Sequence, residues 1–380
     1  MSSKIVSKNA QRIAVASFFF TAGLCFASWA SRIPTIKTYL NLSEGSLGLI
    51  LFALPTGIMC SLPVTGWMIA KWSSRKILIL TSIFYPLTLV IIGLVHTPYQ
   101  LAGALFLFGI WGNLFNISVN TQAIAVEKIY GRSILASFHG IWSLAGFTGA
   151  AVGLLMIALQ LSPFWHFIVI LSLKVTTVYF SSQFTVRKDP AQGHHPIFAK
   201  PDKTILLYGM IAFSSMVCEG TMFDWSGVYF QKAVQAPEKL ITLGYLLFMG
   251  SMAGGRFISD RLTQHFGIKK ILQASGVFIA TGLLISVAFP FVLTASIGFM
   301  MVGLGVSSVI PLVYSAAGRS ATMNPGVALA AVSTIGFIGF LLGPPLIGTI
   351  AQMASLRWSF ALIACIGLGI SYLADKQQWK

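Results

Sequence analysis

The sequence predicts an all-α integral membrane protein, with twelve transmembrane helices in two six-helix bundles. Three observations carry that expectation. Of 380 residues, 56% are hydrophobic and only 9% are charged, where an average soluble domain carries about 25% charge. Apolar runs recur along the whole chain, each long enough to cross a hydrocarbon core of about 30 Å as a helix. A polar connection over Thr185–Lys203 divides those runs into two sets of six. Main-chain polar groups in lipid must be satisfied within the segment, so the runs are helices and not open strands.

The first run, 12–31, follows Lys4, Lys8 and Arg12 and has the outline of a signal peptide, with Ala27-Ser-Trp-Ala30 in place of a cleavage region. It is read instead as the first span, because eleven further spans need it to complete a paired architecture. Those lie at 46–69, 77–95, 100–121, 136–158, 163–183, 204–229, 240–259, 270–289, 294–316, 326–350 and 356–374. The expected domains are an N-terminal bundle at 1–183, a cytoplasmic linker at 184–203 and a C-terminal bundle at 204–380. His194-His195 in the linker is a metal pair only if further ligands join it, and a solvated loop is the expectation. The four cysteines, Cys25, Cys60, Cys218 and Cys365, fall inside apolar runs and read as small buried hydrophobes.

A net charge of +16 is compatible with nucleic-acid binding, but basic patches interleaved with base-stacking aromatics are absent. A polytopic protein also gathers Lys and Arg in its cytoplasmic loops. With both termini in the cytoplasm, the opposite side receives only Arg32, Lys37, Lys232, Lys239 and Arg357, and Lys174 lies inside a span. That asymmetry sets the expected orientation in a bacterial inner membrane.

The halves resemble each other. A shift of 196 residues places Trp29 on Trp225, Leu47-Gly48 on Leu243-Gly244 and Leu51-Phe52 on Leu247-Phe248 without a gap. Parallel six-helix repeats place a substrate site at their interface, near the bilayer midplane.

At the second and eighth spans the sequence resembles the major facilitator superfamily. Its cytoplasmic signature is a Gly, three residues, Asp-Arg, then Gly and basic residues. Here the first copy reads Gly66-Trp-Met-Ile-Ala70-Lys71-Trp-Ser73-Ser-Arg75-Lys76, with Ala70 for the Asp and Ser73 for the second Gly. The second copy keeps the Asp-Arg better, with four residues after its Gly, as Gly255-Arg256-Phe-Ile-Ser-Asp260-Arg261 and then Phe266-Gly267-Ile-Lys269-Lys270. Ala27-Ser-Trp-Ala-Ser-Arg-Ile-Pro34, Ala125-Val-Glu127, His139-Gly-Ile-Trp-Ser-Leu144, Glu219-Gly220 with Asp224-Trp225, and Leu342-Gly-Pro-Pro-Leu346 are similar to a YbjJ-like bacterial branch. The resemblance implies a secondary transporter working by alternating access, with Asp260 and Arg261 as a cytoplasmic latch or gate. Related members handle small sugars and similar polar solutes.

Among intramembrane polar residues, Glu219 in the seventh span stands out, since an acidic group there is costly unless paired, hydrated or protonated. It reads as a proton-coupling or substrate-binding carboxylate, or as a structural hydrogen-bonding group. Asp224 lies five residues on, and a straight helix turns about 140° over that interval, so the two carboxylates face different directions. Asp224 reads as a gate, a second proton site or an interfacial anchor beside Trp225. Arg32, on the same side of the membrane, pairs with Asp224 as a gate or snorkels as an ordinary end charge.

Asn113, Asn116 and Asn120 fall on one face of the fourth span. They suit a cavity lining for hydroxyl-rich solutes or interhelical hydrogen bonds. Trp29 and Trp142 join the expected substrate contacts. His139 is a proton or gating candidate on a fifth-span stripe whose Gly146, Gly149 and Gly153 permit close packing. Lys174 is expected to snorkel. Gly336, Gly339 and Gly343 repeat the small-residue spacing in the eleventh span, and Pro344-Pro345 bend it.

No Walker loop, catalytic triad or metal cluster is present, so an enzyme, a cofactor and direct ATP driving are not expected. The leading functional expectation is proton-linked carriage of a small polar organic solute by a monomer in the lipid bilayer. A proton-driven exporter of metabolites or drugs and a non-transporting membrane receptor are the alternatives.

Overall fold

Lipid leaves main-chain N–H and C=O groups no partner but one another, and among the described residues the regular structure is entirely helical. The computed structural model describes residues 7–131, 134–187, 202–319, 323 and 325–377. Among the described residues, twelve stretches are long and apolar enough to span a membrane, as the sequence predicts. The α-helices are α1 (Lys8–Tyr39), α2 (Glu44–Leu51), α3 (Ala53–Trp72), α4 (Ser74–Ile92), α5 (Pro98–Tyr130), α6 (Leu135–Ala158) and α7 (Pro163–Ser181). They continue with α8 (Lys203–Lys232), α9 (Leu243–Phe266), α10 (Ile268–Ala288), α11 (Val292–Gly318), α12 (Pro325–Met353) and α13 (Leu356–Lys376).

Local chemistry sets several ends. Thr97 and Gln100 form a reciprocal capping box, with Pro98 at the first position of α5, and Gly131 closes that helix at φ 72°. Glu127 then reaches across the turn, where its Oε2 accepts the N–H groups of Ile134 and Leu135 at 2.8 Å each and holds the start of α6. Asp202 Oδ1 caps α8 by accepting from the Ile205 N–H at 2.7 Å.

The chain separates into two compact units, Met1–Asn41 with Ala53–Gln192, and Leu42–Phe52 with Gly193–Lys380. In the first, α1 packs on α6 and α7, α3 on α5, and α4 on α5 and α7. In the second, α8 packs on α12 and α13, α9 on α11, and α10 on α11 and α13. Pairing α1 with α8 and α3 with α9, and so on in order, makes the two patterns the same. The weak sequence repeat is therefore a repeat of packing.

Three features refine the sequence expectation. The second span runs as one stretch over Glu44–Trp72, with a local irregularity at Phe52 between α2 and α3, where the backbone stays helical at φ −58° and ψ −24°. The α2 segment packs with the second unit, against α12, where Gly45 N–H donates to Gln352 Oε1 at 3.3 Å. The residues that follow α7 are tied back to the first unit. Arg75 donates to Thr185 Oγ1 at 3.0 Å and to the Ser182 carbonyl at 3.2 Å, and Gln122 pairs with both main-chain groups of Val186. His194-His195 lies outside the described residues. Finally, Cys25 and Cys218 are buried but Cys60 and Cys365 are exposed. An apolar run in a membrane protein has a lipid face as well as a packed one, and hydropathy does not separate the two.

Candidate functional site

Glu219 sits in the middle of α8 and is 8% exposed. What brings it a partner is the close approach of helices around α8. Gly339 of α12 is pressed to α8 so tightly that a Cβ there would meet the Phe213 carbonyl oxygen at 2.5 Å. On another side, Arg256 of α9 extends its Nη2 to within 3.6 Å of Glu219 Oε1. That separation exceeds the roughly 2.7–2.9 Å of a charge-assisted hydrogen bond, so the pair is an ion pair with slack in it. Tyr314 of α11 lies within electrostatic reach of Glu219 and hydrogen-bonds Ser333 of α12. Phe340 of α12 lies over Gly220, with its ring 6.0 Å from that of Phe223. Four helices of the second unit thus bring together a carboxylate, a guanidinium, a phenol, a hydroxyl and an aromatic wall.

Sequence reading singled out Glu219 but not its partner. Arg256 belongs to the stretch read as a cytoplasmic latch, and only the rotation of α9 against α8 reveals that it points at Glu219. Tyr314 and Ser333 carry no sequence signal of their own.

Asp224 is partly exposed, one turn further along α8, and Tyr245 of α9 is in electrostatic reach of it. The Tyr245 hydroxyl and the indole N–H of Trp225 are buried without a hydrogen-bond partner. Trp29, the repeat equivalent of Trp225, is 1% exposed and its indole N–H is likewise buried and unpartnered.

Arg32 departs from the snorkelling position expected of an end charge. It is 2% exposed, so it does not snorkel. Its Nε donates to His166 Nδ1 at 3.2 Å and its Nη2 to the Leu161 carbonyl at 2.8 Å, which ties α1 to the start of α7. Accepting at Nδ1 makes His166 the Nε2–H tautomer. Lys174 is corrected in the same way. It is wholly buried, with Nζ 3.6 Å from the centroid of the Phe115 ring and no hydrogen-bond partner.

The three asparagines divide. Asn113 is buried and donates to Ser61 Oγ at 2.8 Å and to Thr65 Oγ1 at 3.4 Å, an interhelical tie between α5 and α3. Asn116 is exposed, and Asn120 donates to its side-chain oxygen at 3.0 Å and its carbonyl at 2.8 Å. His139 is exposed at the start of α6, edge-on to Phe19. Trp142 is half-buried beside Phe26. Asp260 and Arg261 are both exposed near the end of α9, and among the described residues neither has an ion-pair partner. No group of three metal-ligating side chains occurs among the described residues.

Known proteins share this architecture. A sequence profile described as Major Facilitator Superfamily matches residues 14–325. The chain is 32% identical over 361 residues to an uncharacterized MFS-type transporter of Yersinia pestis, covering 95% of this chain and 94% of that one. It is 30% identical to an uncharacterized transporter of Sinorhizobium fredii, over 95% of this chain and 96% of the relative. The crystal structure of a D-xylose–proton symporter superposes with a TM-score of 0.79 at 12% identity, covering 97% of each chain. A nucleoside transporter superposes with a TM-score of 0.76 at 13% identity, covering 96% of this chain and 99% of that one.

Proposed function

The chain belongs to the Major Facilitator Superfamily, and on that premise we propose that it carries a small polar organic solute, sugar-like or related, across the bacterial inner membrane by proton-coupled alternating access. The observation that carries the coupling is the Glu219–Arg256 pair. Protonating Glu219 removes one of two mutually compensating charges and releases the other. Any rearrangement that separates α8 from α9 at this point is then easier with the proton bound than without it. Such a difference between states is what ties ion binding to a conformational equilibrium.

The surrounding chemistry supports a hydroxyl-bearing solute. Tyr314, Ser333 and the two charged groups offer donors and acceptors, and the Phe223–Phe340 wall offers an apolar face. Neighbours that carry D-xylose or nucleosides fit the same class. Trp29, Trp142, Asn116 and Asn120 are further contact candidates, Asp224 and His139 further proton sites, and Asp260 with Arg261 the latch. The excess of basic residues on one side supports termini in the cytoplasm, and the carrier is proposed to act as a monomer.

The test begins with a thermal-shift screen of sugars, cyclitols and nucleosides, since a ligand of the folded state raises apparent stability. With the hit in hand, Glu219→Gln is reconstituted in proteoliposomes. The expected result is loss of pH-driven accumulation down to the ratio set by passive equilibration, with solute exchange retained. Accumulation at the wild-type level would remove Glu219 from the mechanism.

A further inference from the structure

At the cytoplasmic end of α3 the first unit keeps the signature's position and changes its chemistry. Lys71 is exposed, and its Nζ lies 4.8 Å from the Trp67 ring centroid and 5.5 Å from that of Trp72. The two indoles meet edge to face, with centroids 5.6 Å apart. Both are open to the surroundings, Trp67 at 55% and Trp72 at 41% exposure. Lys76, in the first turn of α4, is exposed as well, whereas Arg75 between them is turned inward onto Ser182 and Thr185. Among the described residues neither lysine meets a carboxylate.

We propose that Trp67, Lys71, Trp72 and Lys76 form a site for the headgroup of an anionic phospholipid. Charge and position both favour that occupant. Ala70 stands where the signature has an aspartate, so no acidic group in Gly66–Lys76 repels a phosphate. Two indoles packed on Lys71 hold its ammonium in place through their faces and present amphipathic rings at the level where Trp is favoured. Cys60, Val64 and Trp67 are exposed in a row along α3 toward Lys71, an apolar track for the acyl chain beneath the headgroup. The equivalent end of α9 lacks these features. There Asp260 is retained, and Phe257 and Leu262 occupy the places of the two tryptophans.

The probe is phosphatidylglycerol against phosphatidylcholine, added to delipidated full-length protein in detergent, with melting temperature and lipid retention in native mass spectrometry as readouts. Phosphatidylglycerol is expected to stabilise the wild type more than phosphatidylcholine does, and the difference should shrink at high salt. Lys71→Ala and Lys76→Ala should each weaken phosphatidylglycerol binding by about five-fold, the scale set for one basic residue near an anionic surface. Trp67→Leu should weaken binding of the same lipid, and Lys8→Ala should leave it unchanged. The proposal is overturned by equal effects of the two lipids, by a preference that survives loss of both lysines, or by inorganic phosphate reproducing the stabilisation.

Discussion

Ser73 occupies the position where the superfamily signature carries its second glycine, and the backbone there has not changed to suit it. Its φ is 78° and ψ 149°, against 81° and 157° at Gly267, the corresponding residue before α10. A side chain in that region costs on the order of 1–3 kcal/mol. Ser73→Gly relieves this, less the extra chain entropy that glycine loses on folding, so a gain of about 1 kcal/mol is expected. A melting curve checks it, and a midpoint that falls would show that the serine hydroxyl contributes more than the strain removes. At this scale the sequence is informative about which side chains are costly, but not about what satisfies them. Glu219 is legible as an acid in an apolar run. Its guanidinium partner, the burial of Arg32 onto His166 and the placement of Lys174 over Phe115 depend on helix rotation, which hydropathy does not encode.

Among the helices, the glycine stripes are the best-read feature and the change of packing partner at Phe52 the worst. Gly149 and Gly339 both stand where a neighbouring helix leaves no room for a Cβ, Gly149 against Ala27 of α1 and Gly339 against Phe213 of α8. Gly343, from the same α12 stripe, has nothing within 4 Å of the position a Cβ would take. The pair makes a controlled comparison. Gly339→Ala is expected to destabilise by about 1–3 kcal/mol through overpacking, whereas Gly343→Ala should be neutral or slightly stabilising in a helix. Equal melting temperatures for the two variants would contradict the close approach of α12 to α8. Within the apolar run 46–69 the change of packing partner at Phe52 leaves no polar mark, so hydropathy does not show it.

For the whole molecule, twelve spans and a two-fold repeat were legible because lipid imposes length and composition on every helix. The orientation rests on basic residues alone and is open to direct measurement. In a background lacking Cys60 and Cys365, Lys376→Cys should react with an impermeant thiol reagent only from the cytoplasmic side, and Tyr99→Cys only from outside. The reverse pattern would invert the topology. The excursion of Leu42–Phe52 into the second unit also bears on how the protein is made. Gly48 lies against Pro344 and Gly348 of α12, a helix that leaves the ribosome some three hundred residues later. At about 5–20 residues per second that is a delay on the order of tens of seconds. Throughout it, the apolar face of α2 has only lipid or the insertion machinery to cover it. The first six spans are therefore a nascent intermediate, completed only when nearly the last helix arrives. An N-terminal half expressed alone should be degraded or associate with itself, and co-expression of the missing half should rescue it.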